Sequence, residues 1–191
     1  MVRKVAYGGI VGSESHYYNG QPAGLVRDNG IRRYSVADLG VLTTQVMTDT
    51  AIYLEKGDLV AYLTFVSGAT AAGTPTNWWF ALYDPTGANL LGQTADQLTA
   101  AWAANTAKKV ALAAPYVVPA TGVYRAAVMV KATTVPTLAG SNVRAAVSAA
   151  VATGQAVLAQ TSGSGLTTTA PATIATPTTV GTVPYVIASS A

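Results

Sequence analysis

Hydrophobic and polar positions alternate with the period of a β-strand through the middle of the chain. Leu59 to Val66 sets Leu59, Ala61, Leu63 and Phe65 on one side and Val60, Tyr62, Thr64 and Val66 on the other. Asn77 to Tyr83 repeats the pattern, with Trp78, Phe80 and Leu82 opposite Trp79, Ala81 and Tyr83. It stops at Asp84-Pro85-Thr86-Gly87, whose Pro at the second place and Gly at the fourth suit a type I turn. Leu90 to Thr94 is placed to return as its hairpin partner. Val123 to Lys131 is a long run with Tyr124, Ala126, Val128 and Val130 along one face, which predicts a strand at the centre of a sheet. Leu42 to Met47, Ala51 to Leu54, Lys109 to Ala113 and Tyr116 to Val118 add shorter strands between turn signals. The fold class this pattern predicts is all-β, an antiparallel β-sandwich over residues 39–140.

Several of these strands are apolar on both sides, so both sides need cover. A facing sheet about 10 Å away supplies one. The other has three candidates: the chain's own arms, a symmetry mate, or the surface of a larger assembly. The loops Gly68 to Thr76 and Ala132 to Gly140 share a composition and follow long strands, and are read as loops at one end of the sandwich.

The ends differ from the middle. Residues 1–38 have Gly, Asn, Ser and Pro punctuation without sustained periodicity, and read as an irregular arm. Its tyrosines and its mildly positive balance favour contact with a neighbour, and Tyr7, Tyr17, Tyr18, Arg32, Arg33 and Tyr34 are the candidate docking residues. Residues 141–191 read as a C-terminal extension. From Ala145 to Ala191, 47 residues carry no charged side chain, and Thr161 to Thr182 holds nine threonines. Val143, Val147 and Val151 behind a Ser141 cap allow a short helix over Asn142 to Val151. Gln155 to Gln160 and Pro184 to Ser189 read as strands, the second returning to the sandwich edge, with an extended Thr/Pro/Gly arm between them.

Composition narrows the function classes. Of 191 residues, 50% are hydrophobic and only 10% charged, against roughly 25% charged in an ordinary soluble domain. There is apolar surface enough for a core, and 18 glycines and 9 prolines without a three-residue period exclude collagen. The absence of cysteine removes disulfides and thiolate chemistry. No run approaches the ~18 apolar residues of a membrane span, and the start lacks a signal-peptide pattern, so a soluble chain made in the cytoplasm, with no membrane partner, is expected. A net charge of +3 spread thinly is too dilute for direct nucleic-acid binding.

Candidate chemistry is sparse, and no cofactor or metal is expected. His16 would need a serine or threonine and an acid such as Glu14 or Asp38, but no Gly-x-Ser-x-Gly elbow presents a nucleophile, and Gly163-Ser164-Gly165 lacks the surrounding pattern. A glycosidase needs two carboxylates about 5–10 Å apart. Asp49, Glu55, Asp58, Asp84 and Asp96 form the pool, with Asp96 or Asp84 as the hydrolase candidates. Most of the pool falls at strand ends and turns, where short acids stabilise chain reversal. EF-hand spacing is absent. The aromatics offer more. Trp78 and Trp79 must point to opposite faces, so one joins the core while the other, with Tyr83 and with Tyr62 across from it, can form a platform for a sugar ring or a partner. The competing expectation is that arm residues or Trp102 cover that platform.

The run from Tyr62 to Asp84, with Gly68-Ala69-Thr70-Ala71-Ala72-Gly73-Thr74-Pro75 ahead of Asn77-Trp78-Trp79-Phe80, resembles a family of virion proteins from tailed phages of actinobacteria. The similarity continues through Gln93-Thr94-Ala95-Asp96, Ala101-Trp102-Ala103-Ala104-Asn105-Thr106, Thr121-Gly122-Val123-Tyr124 and Val128 to Pro136. It closes with Gly165-Leu166-Thr167-Thr168-Thr169-Ala170-Pro171 and Val183-Pro184-Tyr185, covering about residues 50–188. These motifs carry no catalytic role. The resemblance implies a non-enzymatic structural component at the particle surface with a jelly-roll-like or related sandwich. A capsid decoration or head-accessory protein is favoured, because no heptads or fibrous repeats build a shaft. The alternative is a minor tail or tail-fibre protein that binds host glycan. The expected partners are other virion proteins and further copies of the chain, a trimer being one candidate symmetry, with copies meeting through an apolar sheet face.

Overall fold

Alternation of apolar side chains produces strands over about half of the described residues in the structure, a computed structural model that describes residues 26–191. In chain order these are β1 (Val26–Asp28), β2 (Ala37–Val41), β3 (Met47–Leu54), β4 (Leu59–Val66), β5 (Gly73–Tyr83), β6 (Leu90–Gln93), β7 (Ala107–Val117), β8 (Gly122–Thr134) and β9 (Thr137–Asn142). A single helical turn, α1 (Ala145–Ser148), precedes β10 (Ala159–Ser162), β11 (Thr178–Thr179), β12 (Thr182–Pro184) and β13 (Val186–Ser189). Pairing is antiparallel throughout. A six-stranded sheet of order β11-β10-β3-β8-β5-β6 packs on a four-stranded sheet of order β1-β13-β4-β7. A three-stranded sheet of order β12-β9-β2 adds Leu39 and Leu138 to the same core. The protein is an all-β sandwich.

The core between the two large sheets is the one the alternation predicts on β5 and β8. Trp78, Phe80 and Leu82 meet Tyr124, Ala126, Val128 and Val130 on one wall, and Leu63, Phe65, Val186 and Ala188 face them from the other. Trp102, from the β6–β7 connection, lies 5.1 Å from Trp78 between ring centroids, and Phe65 lies 4.8 Å from Phe80. β8 is central, flanked by β3 and β5. On β4 simple alternation fails. Between Val60 and Tyr62 the pairing jumps from Tyr116 to Ala111, so surplus residues bulge from β7, and across that break Val60 joins Leu63 and Phe65 in the core instead of facing away from them.

The stretch read as a loop from Ala132 to Gly140 is largely strand, since β8 runs to Thr134 and β9 begins at Thr137. Its glycine serves close packing. A Cβ on Gly140 would fall 2.2 Å from the Val183 carbonyl oxygen and 2.7 Å from Leu39 Cδ1. The loop over Gly68 to Thr76 likewise ends early, at Gly73, where β5 starts.

The C-terminal residues are built into the sandwich. β10 and β11 extend the six-stranded sheet, β12 joins the small sheet, and β13 lies between β1 and β4, so this returning strand is interior and β1 takes the edge. The helix over Asn142 to Val151 shrinks to one turn, because its valine stripe finds nothing to pack on: Val147 and Val151 are 54% and 66% exposed. Between β10 and β11, residues 163–177 cross the outer face of the six-stranded sheet as a strap. Leu166, Ala170 and Ile174 pack there on Met47, Trp79, Ala81, Tyr83, Ala127 and Met129. The apolar outer face of the six-stranded sheet is therefore covered by the chain itself, one of the three candidate covers. No helix among the described residues is long and apolar enough to cross a membrane.

Replacing Gly140 by Ala pushes β9 away from β12 and is expected to lower stability by about 1–3 kcal/mol, read as a lower urea midpoint with an unchanged slope.

Candidate functional site

Strand alternation assigns the outer face of the six-stranded sheet. Trp79, Ala81 and Tyr83 point to it from β5, Ala127 and Met129 from β8, and Met47 from β3, while Trp78 points into the inter-sheet core. The strap then hides the aromatics. Trp79 and Tyr83 are 0% exposed and Trp78 is 1% exposed, so none of the three offers a ring face to a sugar or a partner. Tyr62 is not across from them, since β4 belongs to the other sheet. It is half-buried there, with Lys109 Nζ 4.3 Å from its ring centroid. The predicted platform is thus replaced by core on one side and strap-covered sheet on the other.

The strap is held by hydrogen bonds that need no charge. Trp79 Nε1 donates to the Thr167 carbonyl and Tyr83 Oη to the Pro171 carbonyl, each at 2.8 Å. Gln93 grips the strap twice, its Nε2 donating to the Thr168 carbonyl at 3.0 Å and its Oε1 accepting from the Ala170 amide at 2.7 Å. Gln45 does the same at the entry, with Nε2 donating to the Leu166 carbonyl at 3.3 Å and its own carbonyl accepting the Leu166 amide at 3.0 Å. At the exit the Ile174 amide donates to the Gly87 carbonyl at 2.7 Å. Gly87 has φ +74°, and a Cβ there would lie 3.1 Å from Ile174 Cβ, so the turn after β5 needs glycine both for its own path and to seat the strap.

Beside the strap lies a buried ion pair. Asp49 on β3 and Arg125 on β8 share the outer face, Arg125 Nε donates to Asp49 Oδ1 at 2.5 Å, and Arg125 Nη1 donates to the Val157 carbonyl. Burial pushes the Asp49 carboxyl up to about 6, against the opposing pull of Arg125 and of Gln160. Tyr83 feels both effects, since burial and the negative charge of Asp49 raise its phenol above the ordinary tyrosine range. Asp49 therefore lies within a strand, unlike the turn acids with which it was grouped.

The other acids do structural work at turns and junctions. Asp84 accepts from the Thr86 and Ala88 amides, from Thr86 Oγ1 and from Asn89 Nδ2, the last at 2.6 Å. Its slight burial opposes ionisation, but the bonds from Asn89 and Thr86 outweigh it and hold the carboxyl below its usual range. Asp96 accepts from Asn77 Nδ2 and from the Trp78 and Leu98 amides. Glu55 and Asp58 receive Arg27, and Asp38 accepts the Ala69 amide at 3.0 Å. Neither Asp84 nor Asp96, the two hydrolase candidates, is free of structural donors. Among the described residues no group of three or more His, Cys, Asp or Glu is placed to hold a metal ion.

Of the docking-arm candidates, Tyr7, Tyr17 and Tyr18 lie outside the described residues, as do His16 and Glu14. Arg33 and Tyr34 belong to a 3-10 turn over Arg33–Ser35, and Arg32 Nη1 donates to Tyr34 Oη at 2.5 Å. Tyr34 is 66% exposed. The residues that sequence reasoning missed are Arg125, Gln45 and Gln93. Arg125 carries a readable signal: a cation flanked by apolar residues near the start of the central strand, unlike Lys131 toward its end, must meet an anion, and Asp49 is the acid inside the neighbouring strand.

Removing Arg125 alone strands a buried carboxylate, so Arg125→Met is expected to cost about 3–5 kcal/mol, while Asp49→Leu combined with Arg125→Met recovers most of the loss in urea unfolding. The pH dependence has a defined sign. With Asp49 near 6 in the fold and 3.8 as its ordinary value, the folded chain holds that proton more tightly than the unfolded one. The ionised carboxyl penalises folding above pH 6, and the penalty fades as pH falls toward 4. Going from pH 7 to pH 5 is expected to add about 1 kcal/mol of stability, and Asp49→Asn should abolish that increment in paired denaturation curves.

No protein-family model matches the chain, and no curated protein matches it.

Proposed function

We propose that the protein is a non-enzymatic structural component of a tailed-phage virion, a capsid decoration or head-accessory protein made in the host cytoplasm and seated on the particle surface. The observation that carries this reading is how the side chains with chemical potential are used. The described carboxylates of the candidate pool hold turns, junctions or arginines, and the exposed platform the aromatics would have formed is closed by the strap. What results is a stiff module whose polar groups are spent on shape. The resemblance of residues 50–188 to phage virion proteins agrees with such a part.

Docking then falls to surfaces other than the strapped face. Arg32, Arg33 and Tyr34, exposed at the junction between the N-terminal residues and the sandwich, are the described part of the docking arm. Basic and aromatic side chains suit an interface rim that meets an acidic lattice surface. A carbohydrate-binding tail protein draws no support from Trp78, Trp79 or Tyr83, because stacking on a sugar needs an open ring.

Particles of the phage that encodes the chain, purified through a density gradient and reconstructed by electron microscopy, are expected to carry it at a regular surface position. Arg32→Glu with Arg33→Glu should release it from particles while leaving the fold intact by circular dichroism. Expression in infected cells with no chain in the purified particles would overturn the proposal.

A further inference from the structure

β1 is a three-residue strand at the edge of the four-stranded sheet, and among the described residues its only strand partner is β13, through Val26↔Ser189, Arg27↔Ala188 and Asp28↔Ile187. So short a ladder contributes little by itself. Two flanking side chains supply the rest. Arg27 Nε donates to Asp58 Oδ2 at 2.8 Å, and its Nη2 donates to Asp58 Oδ1 at 3.1 Å and to Glu55 Oε2 at 2.7 Å. Asn29 Nδ2 donates to the Pro184 carbonyl at 2.7 Å and to Thr50 Oγ1 at 3.3 Å, and its Oδ1 accepts the Val186 amide at 3.4 Å.

These groups form a socket that exists without the strand. Pro184 and Val186 stand at the β12–β13 junction, Thr50 in β3, and the two acids in the β3–β4 turn. Asp58 is held in place by the Glu55 amide, which donates to its Oδ2 at 2.9 Å. The socket therefore reads an arginine and an asparagine spaced two apart on an extended strand, by a charge pair on one side and an amide clamp on the other. The strand itself is joined to β2, in a different sheet, by residues 29–36. Gly30 in that connection has φ +78° with nothing within 4 Å of its would-be Cβ, and Arg32 to Ser35 are exposed.

We propose that β1 is an exchangeable strand, and that its socket accepts Arg27-Asp28-Asn29 from a second copy of this chain. Exchange keeps the hydrogen bonds and ion pairs that Arg27 and Asn29 make with the socket and alters the path of residues 30–36, so the choice between the closed and exchanged forms is set by concentration and by the linker. A donated strand on one side and an open socket on the other is a head-to-tail contact, which closes into a ring or continues as a row. The exchange belongs to the chain alone and does not depend on its having a place in a particle.

The chain has no cysteine, so a thiol pair reports the contact directly. Asp28→Cys and Ile187→Cys, made in separate copies, mixed at high concentration in mild denaturant, returned to buffer and oxidised, are expected to give a disulfide-linked dimer. Its yield should be at least about tenfold above a mixture of Asp28→Cys with the surface variant Ala113→Cys, because strand pairing holds the thiols at a high effective concentration. Intrachain closure in the double variant with no excess dimer in the mixture would overturn the proposal. A second measurement avoids thiol geometry. Arg27→Glu mixed with the double variant Glu55→Arg, Asp58→Asn is expected to yield a heterodimer by light scattering. The first copy's own socket repels its introduced glutamate and the second copy's introduced arginine repels its own Arg27, while each strand meets an opposite charge in the other copy's socket. Monomers alone in that mixture would equally overturn it.

Discussion

A strand that is apolar on both faces has to be covered twice, and β8 imposes that requirement on the whole molecule. Tyr124, Ala126, Val128 and Val130 face the four-stranded sheet, while Ala127 and Met129 face outward. A two-sheet sandwich answers only the first demand. The second is answered by residues 163–177, which act as a third layer without being a sheet. Seen this way, the charge-free composition of the C-terminal residues has a physical cause. A strap lying on buried aromatics would strand any charge it carried against apolar surface, whereas Thr, Ala, Pro and Gly lie flat and leave carbonyls for Trp79, Tyr83, Gln45 and Gln93 to reach.

The ion pair belongs to the same problem of covering that face. Arg125 binds Asp49 and also reaches the carbonyl of Val157, tying the segment before β10 to the sheet beside the bonds that the Leu158 carbonyl accepts from Ala51 and Thr50. Well-packed apolar residues would serve stability as well or better. What the pair adds is register, because a guanidinium has few acceptable partners and methylenes have many.

Much of the fold was legible because period-two alternation is local. β4, β6 and β8 lie close to their expected bounds, and the split of Trp78, Phe80 and Leu82 from Trp79, Ala81 and Tyr83 follows from the pleat alone. Long-range facts were not local. Alternation states that Trp79 opposes Trp78 but not what lies on it, so a face fit for a ligand and a face awaiting the strap read alike. The break in β4's alternation depends on the bulge in its partner β7, and β9 is masked by Gly140 and its threonine-rich neighbours, whose composition signals a loop while their packing demands a strand.

The place of β13 carries a consequence for how the molecule is made. It fills the gap between β1 and β4, although about 120 residues separate it from β4 along the chain. On the ribosome, β4 can be flanked by β7 on one side only until residue 189 has emerged, a wait of on the order of ten seconds at ordinary translation rates. During that interval the nascent chain shows an open β edge and an uncovered Trp79, the pair of hazards that trigger factors and other chaperones at the exit tunnel exist to shield.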